Sequence, residues 1–330
     1  MLTFFDAVVW AWHFRVNFAR KPRVGVMVSN SHARLSLTGL QASDSVKQCG
    51  FIDFADTPRN SRGRNLARPI ITLTTDYGTS DHLVGVIKGV ILSINPEVNI
   101  VDITHSVIAH DVLDGALTIS QAYRYFPPKT IHMVVVDPGV GTQRRPILVA
   151  GDQHYFVAPD NGVLSAIYDQ SESLFAWHVT SEHYFRQPVS NTFHGRDIFA
   201  PVAGWLSKNW QTASFGEQIE DFVRFSIPKP KVNGNTIRCV VLKLDNFGNL
   251  ITNLKGEDTP ALMAPDAKFT IRAGNAEIKK LLPTFAVGAA GEPFAIIGSG
   301  GYLELCVNKG NAARVLGIGR GAEVTVELEA

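Results

Sequence analysis

An acid, a guanidinium and an imidazole lie in two polar segments between apolar stretches of the sequence. Asp137 and Arg144 bound the segment D-P-G-V-G-T-Q-R, whose proline and two glycines predict a rigid loop with an exposed backbone. His194 precedes an apolar stretch that predicts a helix. A carboxylate can orient a water molecule, an imidazole can exchange its proton, and a guanidinium can hold the carboxylate in place. The simpler alternatives are an exposed ion pair in a surface turn and a histidine that caps a helix.

Further polar side chains gather in three other segments. Asp76 and Asp81 bound the turn D-Y-G-T-S-D, in which Ser80 or Asp81 is also suited to cap the helix that follows. The Asn- and Gly-rich segment at 244–253 is typical of a hairpin turn, and a glycine pair precedes an aromatic residue and an acid at 299–304. The last two segments contribute the side chains of Asp245, Phe247, Asn249, Ser299, Tyr302 and Glu304.

Histidine and aspartate side chains of suitable type for a metal are present, but their spacing is not that of a metal site. His105, His110 and Asp111 lie in one predicted loop. No HxH or HExxH spacing places two ligands on one helix or strand. We therefore expect neither a metal nor another cofactor.

The first half of the chain alternates between strand and helix patterns. Residues 69–75 predict a buried strand, and apolar residues from Leu83 to Ile94 recur at three- and four-residue steps, the period of an amphipathic helix. Strand patterns at 98–103 and 131–136 flank a second helix pattern. Such alternation predicts a mostly parallel, Rossmann-like sheet with helices on its faces. Because ligands bind at the carboxyl ends of parallel strands, we expect Asp76 and Asp137 at one edge of that sheet.

Short alternating strands separated by Gly and Asn fill the last hundred residues and predict a small all-β, barrel-like domain. We therefore divide the chain into an extension at 1–68, an α/β domain at 69–228 and a β domain at 232–330. Residues 1–68 carry ten Lys or Arg against four Asp. We interpret this extension as a poorly ordered tail or a translation start placed too early.

The chain of 330 residues has the composition of a soluble globular protein, with 45% hydrophobic and 18% charged residues. A formal net charge of +1 gives no indication of a nucleic-acid partner. No apolar run reaches the roughly 18 residues that predict a membrane span. Cys49, Cys239 and Cys306 are odd in number and widely scattered, which favours a reducing compartment, and we expect a cytoplasmic protein.

Taken together and in this order, the polar segments resemble those of the S-adenosylmethionine (SAM) hydroxide adenosyltransferases, SAM hydrolases related to fluorinase and chlorinase. The resemblance extends over residues 69–330 without large gaps. It rests on the segments TTDYGTSD (74–81), DITHSV and HD (102–111), DPGVGTQR (137–144), APDNGVLS (158–165), FHGRDIFAP (193–201), DNFGNLITN (245–253) and GSGGYLELCVNKG (298–310).

The resemblance implies a homotrimer whose substrate lies between the α/β domain of one subunit and the β domain of its neighbour. Asp76 is implied to bind the ribose hydroxyls, for which an ionised carboxylate is a suitable acceptor. Asp245 and Ser299 match positions that hold the ammonium and carboxylate groups of the methionine moiety. Further substrate contacts are implied for Asp81, Phe247, Asn249, Tyr302 and Glu304.

Asp137 distinguishes a hydrolase from a halogenase in this resemblance. The matching position in the halogenases is aromatic or small, whereas a carboxylate repels a halide and can hydrogen-bond a water molecule. The resemblance therefore implies hydrolysis of SAM, with its (R)-sulfonium epimer as a candidate substrate, to adenosine and L-methionine. Asp137, Arg144 and His194 are the implied catalytic residues, with Arg145 as the other candidate for the arginine. A SAM-dependent 5′-halogenase and a non-catalytic adenosine- or SAM-binding protein are the alternatives.

Overall fold

A computed structural model of the protein describes residues 68–329, which belong to one compact unit. Apart from Arg68, the extension at 1–68 lies outside the described residues. Cys49 lies outside them as well. Two sheets follow one another along the chain, and the change from the first to the second falls between Ile219 and Lys231. The domain limits inferred from the sequence stay a prediction.

The first sheet combines a parallel half with an antiparallel half. Four strands in the order β2-β1-β3-β5 are parallel, and β4, β6 and β7 continue the sheet by antiparallel pairing. The structure thus confirms an α/β fold with a mostly parallel first sheet. The strands are β1 (Ile70–Thr75), β2 (Asn99–Thr104), β3 (Ile131–Val135), β4 (Pro146–Gly151), β5 (His154–Pro159), β6 (Leu174–Val179) and β7 (Gly216–Ile219).

Helices cover both faces of this sheet, as the alternating pattern predicts. They are α1 (Leu83–Ile94), α2 (Val112–Ala122), α3 (Ser165–Tyr168) and α4 (Ala200–Leu206). Ile87 of α1 and Val202 of α4 belong to one apolar core, and Ile119 of α2 and Ile167 of α3 belong to another. Since side chains alternate between the faces of a strand, β3 contributes to both cores, with Met133 in the first and Val134 in the second.

The start of α1 differs from the expectation that Ser80 or Asp81 caps it. His82 occupies the N-cap position with helical backbone angles, and its side chain makes no capping hydrogen bond. The backbone N–H of Val86 donates to the carbonyl of His82, so the helix begins after the polar turn has ended. Ser80 and Asp81 lie exposed in that turn.

The second sheet is antiparallel and nearly closed, which confirms the barrel-like fold of this half. Its order is β12-β11-β15-β9-β10-β14-β13, and β8 pairs with β9. Ile237, Leu250 and Leu305 belong to its apolar core. The elements are β8 (Lys231–Asn233), β9 (Thr236–Leu244), β10 (Leu250–Lys255), β11 (Phe269–Ala273), β12 (Ala276–Ile278), β13 (Pro293–Ile297), β14 (Tyr302–Val307), the helix α5 (Ala312–Leu316) and β15 (Glu323–Leu328).

Two ion pairs connect the second sheet to α2. Lys243 of β9 lies 2.6 Å from a carboxylate oxygen of Asp114, which is itself nearly fully buried. Arg320 pairs with Asp111, the residue whose side chain caps α2 by accepting from the Asp114 backbone N–H at 2.9 Å. These contacts fix the second sheet against the amino end of α2.

Within residues 68–329 no helix is long and apolar enough to cross a membrane.

Candidate active site

Asp137 and Arg144 form a buried ion pair in the loop after β3. Their side chains are 6% and 8% exposed, so the alternative of an exposed surface pair is wrong. The Arg144 Nε donates to both carboxylate oxygens of Asp137, at 2.9 and 3.0 Å, and Nη2 also donates to Asp137. The guanidinium therefore binds the carboxylate in a bidentate manner, the arrangement in which arginine forms its strongest hydrogen bonds.

Gly141 brings this loop against the segment that carries His194. Its backbone has a φ of +77°, a conformation that favours glycine. A side chain at position 141 would collide with the backbone carbonyl of Asn191, three residues before His194. The two polar segments of the sequence thus lie in direct backbone contact.

His194 joins the ion pair through Arg144. Nη2 of Arg144 lies 2.6 Å from the imidazole Nδ1. Because an arginine only donates, Nδ1 must accept, and the neutral ring then carries its proton on Nε2. Burial lowers the pKa of His194, and the positive charge of Arg144 lowers it further, whereas Asp137 and Asp197 act in the opposite direction. A neutral imidazole with a donating Nε2–H is the form that this arrangement favours.

A π-helical turn, Gly195–Phe199, follows His194 directly and continues into α4. Asp197 anchors this turn from a fully buried position: it accepts from the Ser190 backbone N–H at 2.9 Å and from the Arg196 guanidinium at 2.7 Å. The ring of Phe199, also fully buried, lies 5.3 Å from the guanidinium carbon of Arg144. The turn therefore supports both His194 and Arg144, in keeping with the frequent occurrence of π turns at functional sites.

Arg145 takes no part in this group. Its guanidinium donates to the buried Asp160 at 2.7 and 2.9 Å and to Asp221 at 2.9 Å. These bonds tie the segment after β7 to the loop after β5. The structure therefore assigns Arg144, and not Arg145, to the group with Asp137 and His194.

Asp76 lies at the same sheet edge, in the turn after β1. Its carboxylate accepts from the backbone N–H of His110 at 2.9 Å, which joins the loops after β1 and β2. Tyr77, the next residue, was missed in the sequence analysis. Asp76, Asp137 and Arg144 are all close enough to act on the phenol electrostatically. Its position two residues after the end of a parallel strand was the signal available in the sequence.

The second sheet carries a separate group of the expected substrate residues. The Asp245 carboxylate accepts from the backbone N–H groups of Phe247 and Asn249, both at 2.8 Å, and from the Asn249 amide at 2.7 Å. The Phe247 side chain is 73% exposed beyond this turn, whereas Asn249 is buried. Burial raises the pKa of Glu304, and the charge of Asp245 raises it further, so these two acids lie close together.

Ser299 and Tyr302 complete this second group. Ser299 lies exposed in the loop between β13 and β14, and Tyr302, half-buried at the start of β14, has the Lys255 ammonium 5.8 Å from its ring centre. Among residues 68–329, no hydrogen bond or ion pair joins this group to Asp137, Arg144 or His194. The same part of the chain holds no group of three His, Cys, Asp or Glu side chains arranged for a metal ion.

Comparison with known proteins identifies the family. Residues 71–216 match the N-terminal domain of SAM hydroxide adenosyltransferases, and residues 239–325 match their C-terminal domain. The α/β sheet with the polar group at its carboxyl edge falls within the first match, and the β barrel within the second. The chain belongs to the SAM hydroxide adenosyltransferase family.

Individual relatives extend over most of the chain. The (R)-S-adenosyl-L-methionine hydrolase of Salinispora tropica is 36% identical, with 78% of this chain and 97% of the relative covered. A fluorinase from an Actinoplanes species is 30% identical over 78% of this chain and 97% of its own length. The crystal structure of an uncharacterised conserved protein from Thermotoga maritima superposes with a TM-score of 0.74 at 35% identity, over 78% of this chain and 99% of the other.

Proposed function

We propose that the protein hydrolyses SAM, with the (R)-sulfonium epimer as its substrate, to adenosine and L-methionine. The observation that carries the proposal is the continuous bonding of Asp137, Arg144 and His194 at the carboxyl edge of the sheet. Relatives named as (R)-S-adenosyl-L-methionine hydrolases, at 32–36% identity, support the same reaction. Fluorinases are relatives too, but the acid at position 137 and its arginine favour a water nucleophile.

The reaction forms a C–O bond, breaks a C–S bond and removes one proton from the water molecule. The oxygen of water bonds to C5′ of the adenosyl group, the C5′–S bond breaks, and its electron pair remains on sulfur. Methionine leaves as a neutral thioether, so the leaving group needs neither a general acid nor a metal. What the site must supply is a well-placed nucleophile, and confinement in line with the breaking bond contributes much of the rate.

The three side chains can divide that task. Since Nδ1 of His194 accepts from Arg144, the ring is placed to donate from Nε2 and not to act as the base. An ionised carboxylate offers about four lone-pair sites, so Asp137 can still accept a hydrogen bond from water while Arg144 holds it. We therefore assign proton acceptance to Asp137, its placement to Arg144 and orientation of the nucleophile to His194.

The rest of the substrate is assigned to the residues that the family resemblance implies. Asp76 binds the ribose, and Asp245 with Ser299 binds the ammonium and carboxylate of the methionine moiety. Asp81, Phe247, Asn249, Tyr302 and Glu304 complete the contacts. The exposed Phe247, and the lack of a hydrogen bond or ion pair between the two groups within residues 68–329, support a homotrimer in which a neighbour's second sheet completes each site. We place this metal-free, cofactor-free enzyme in the cytoplasm, in keeping with the free, buried thiols of Cys239 and Cys306.

Product analysis tests this proposal against the two alternatives. The purified protein is incubated with each sulfonium epimer of SAM in H₂¹⁸O containing a metal chelator and chloride. We expect adenosine with one heavy oxygen at its 5′-hydroxyl and an equal amount of methionine. Formation of 5′-chloro-5′-deoxyadenosine would instead show a halogenase, and bound but unconsumed SAM would show a binding protein.

A further inference from the structure

Tyr77 occupies the space between the ribose-binding acid and the Asp137–Arg144–His194 group. Its ring meets the ring of Phe193 edge to face, with centres 5.9 Å apart. Its hydroxyl lies so close to the Cα of Gly195 that any side chain there would collide with the phenol oxygen. Phe193 and Gly195 flank His194 in sequence, so Tyr77 packs against the residues on both sides of the catalytic imidazole.

Tyr77 is half-buried, and its hydroxyl has no hydrogen-bond partner within residues 68–329. Burial raises the pKa of Tyr77, and the charges of Asp76 and Asp137 raise it further, with Arg144 opposing them. The phenol therefore stays protonated, and so remains a donor, at neutral pH. A donor without a protein partner, placed beside Gly195 and within electrostatic reach of Asp137, is free to bond a molecule in the site.

A chain of contacts through Thr75 and His105 fixes the backbone of Tyr77. Its N–H donates to the Thr75 hydroxyl at 3.3 Å, and that hydroxyl is bonded to Nδ1 of His105 at 2.8 Å. Nε2 of His105 faces Asp102 at 3.1 Å. Thr75 and His105 are both buried, so this chain of contacts fixes the direction in which Tyr77 enters the site.

We propose that Tyr77 is a further catalytic residue, whose hydroxyl donates a hydrogen bond to the oxygen nucleophile as it attacks C5′. The inference rests on the proposed function. Asp137 accepts from the attacking water, whereas Tyr77 and Nε2 of His194 both donate to the lone pair that is not used in the attack. As the proton leaves, negative charge grows on that oxygen, and a fixed neutral donor stabilises it more in the transition state than in the ground state.

The variant Tyr77→Phe removes only the hydroxyl and keeps the ring packing on Phe193. Loss of one preorganised donor predicts that kcat falls about a hundredfold, while KM for SAM stays within about twofold. Tyr125→Phe is the matched control, because the Tyr125 ring is 82% exposed, and it is expected to leave both constants unchanged. Thermal unfolding of both variants checks that the fold is retained.

An unchanged kcat in Tyr77→Phe would overturn the inference and reduce Tyr77 to a packing residue. A rise in KM with kcat unchanged would overturn it as well, because it would place the hydroxyl on the ribose or another part of the ground-state substrate. Failure of the proposed function itself is recognised separately, since the unmodified protein would then release no adenosine.

Discussion

The bond between Arg144 and His194 determines which nitrogen of the imidazole carries a proton. An arginine offers no acceptor, so Nδ1 must keep its lone pair for as long as the 2.6 Å contact lasts. A doubly protonated ring would place two N–H groups against each other beside a buried cation. Burial and Arg144 both lower the pKa of His194, so its neutral form persists below the pH at which a free histidine becomes charged.

Nitrogen NMR of His194 measures this state directly. In protein with ¹⁵N-labelled histidine, we expect the Nδ1 signal at the position of an unprotonated nitrogen and the Nε2 signal at that of an N–H nitrogen. Because the pKa is lowered, this pattern should hold at pH 6.5 and change only in more acidic solution. His194→Gln identifies the signals. A proton on Nδ1, or a ring that titrates at or above pH 6.5, would refute the assigned role.

At the scale of elements, the π turn at Gly195–Phe199 is the part of the site that depends most on distant residues. Helix periodicity correctly placed a helix after His194, but a π turn has no sequence period of its own. It forms where Tyr77 lies against Gly195 and where Asp197 is bonded to Ser190 and Arg196. The Tyr77 side chain, more than a hundred positions earlier in the sequence, therefore limits the size of the residue at position 195.

Two glycine-to-alanine substitutions, with opposite expected effects on stability, test this dependence of the π turn on Tyr77. Gly195→Ala forces a methyl group against the Tyr77 hydroxyl, and overpacking of this kind costs about 1–3 kcal/mol. Gly89→Ala, in the exposed middle of α1 with nothing near the added carbon, should stabilise the fold by up to about 1 kcal/mol. Urea unfolding gives both values. Equal unfolding free energies for Gly195→Ala and the unmodified protein would contradict this account of the turn.

The sequence was sufficient to predict the strands that carry the site residues. It was insufficient to predict the contacts between those residues. β1 and β3 are buried along almost their whole length and are rich in β-branched and apolar residues, so they could be predicted as strands and Asp76 and Asp137 placed at one edge. The family resemblance already favoured Arg144 over Arg145, and the structure shows the two guanidinium groups bonded to different acids, Asp137 and Asp160. Tyr77 was missed because its partners lie on loops far apart in sequence.

At the scale of the whole molecule, the two groups of site residues lie on two different sheets. Lys243 and Arg320 hold the second sheet against the amino end of α2, yet no hydrogen bond or ion pair among residues 68–329 links Asp245 or Glu304 to the Asp137 group. In a closed ring of identical subunits, a surface of one chain meets a different surface of the next. Such an arrangement would bring a neighbour's Asp245 to each Asp137–Arg144–His194 group.

Mixing two inactive variants tests the site as a whole. His194→Ala removes a member of the catalytic group, and Asp245→Asn removes the charge for the substrate ammonium while an amide oxygen can still accept the turn's hydrogen bonds. Each variant alone should release almost no adenosine from SAM supplied below KM. In trimers assembled at random from equal amounts of both, about one site in four combines two intact halves, so about a quarter of the unmodified activity should return. No recovery in verified mixed trimers, or full activity of either variant alone, would contradict the account.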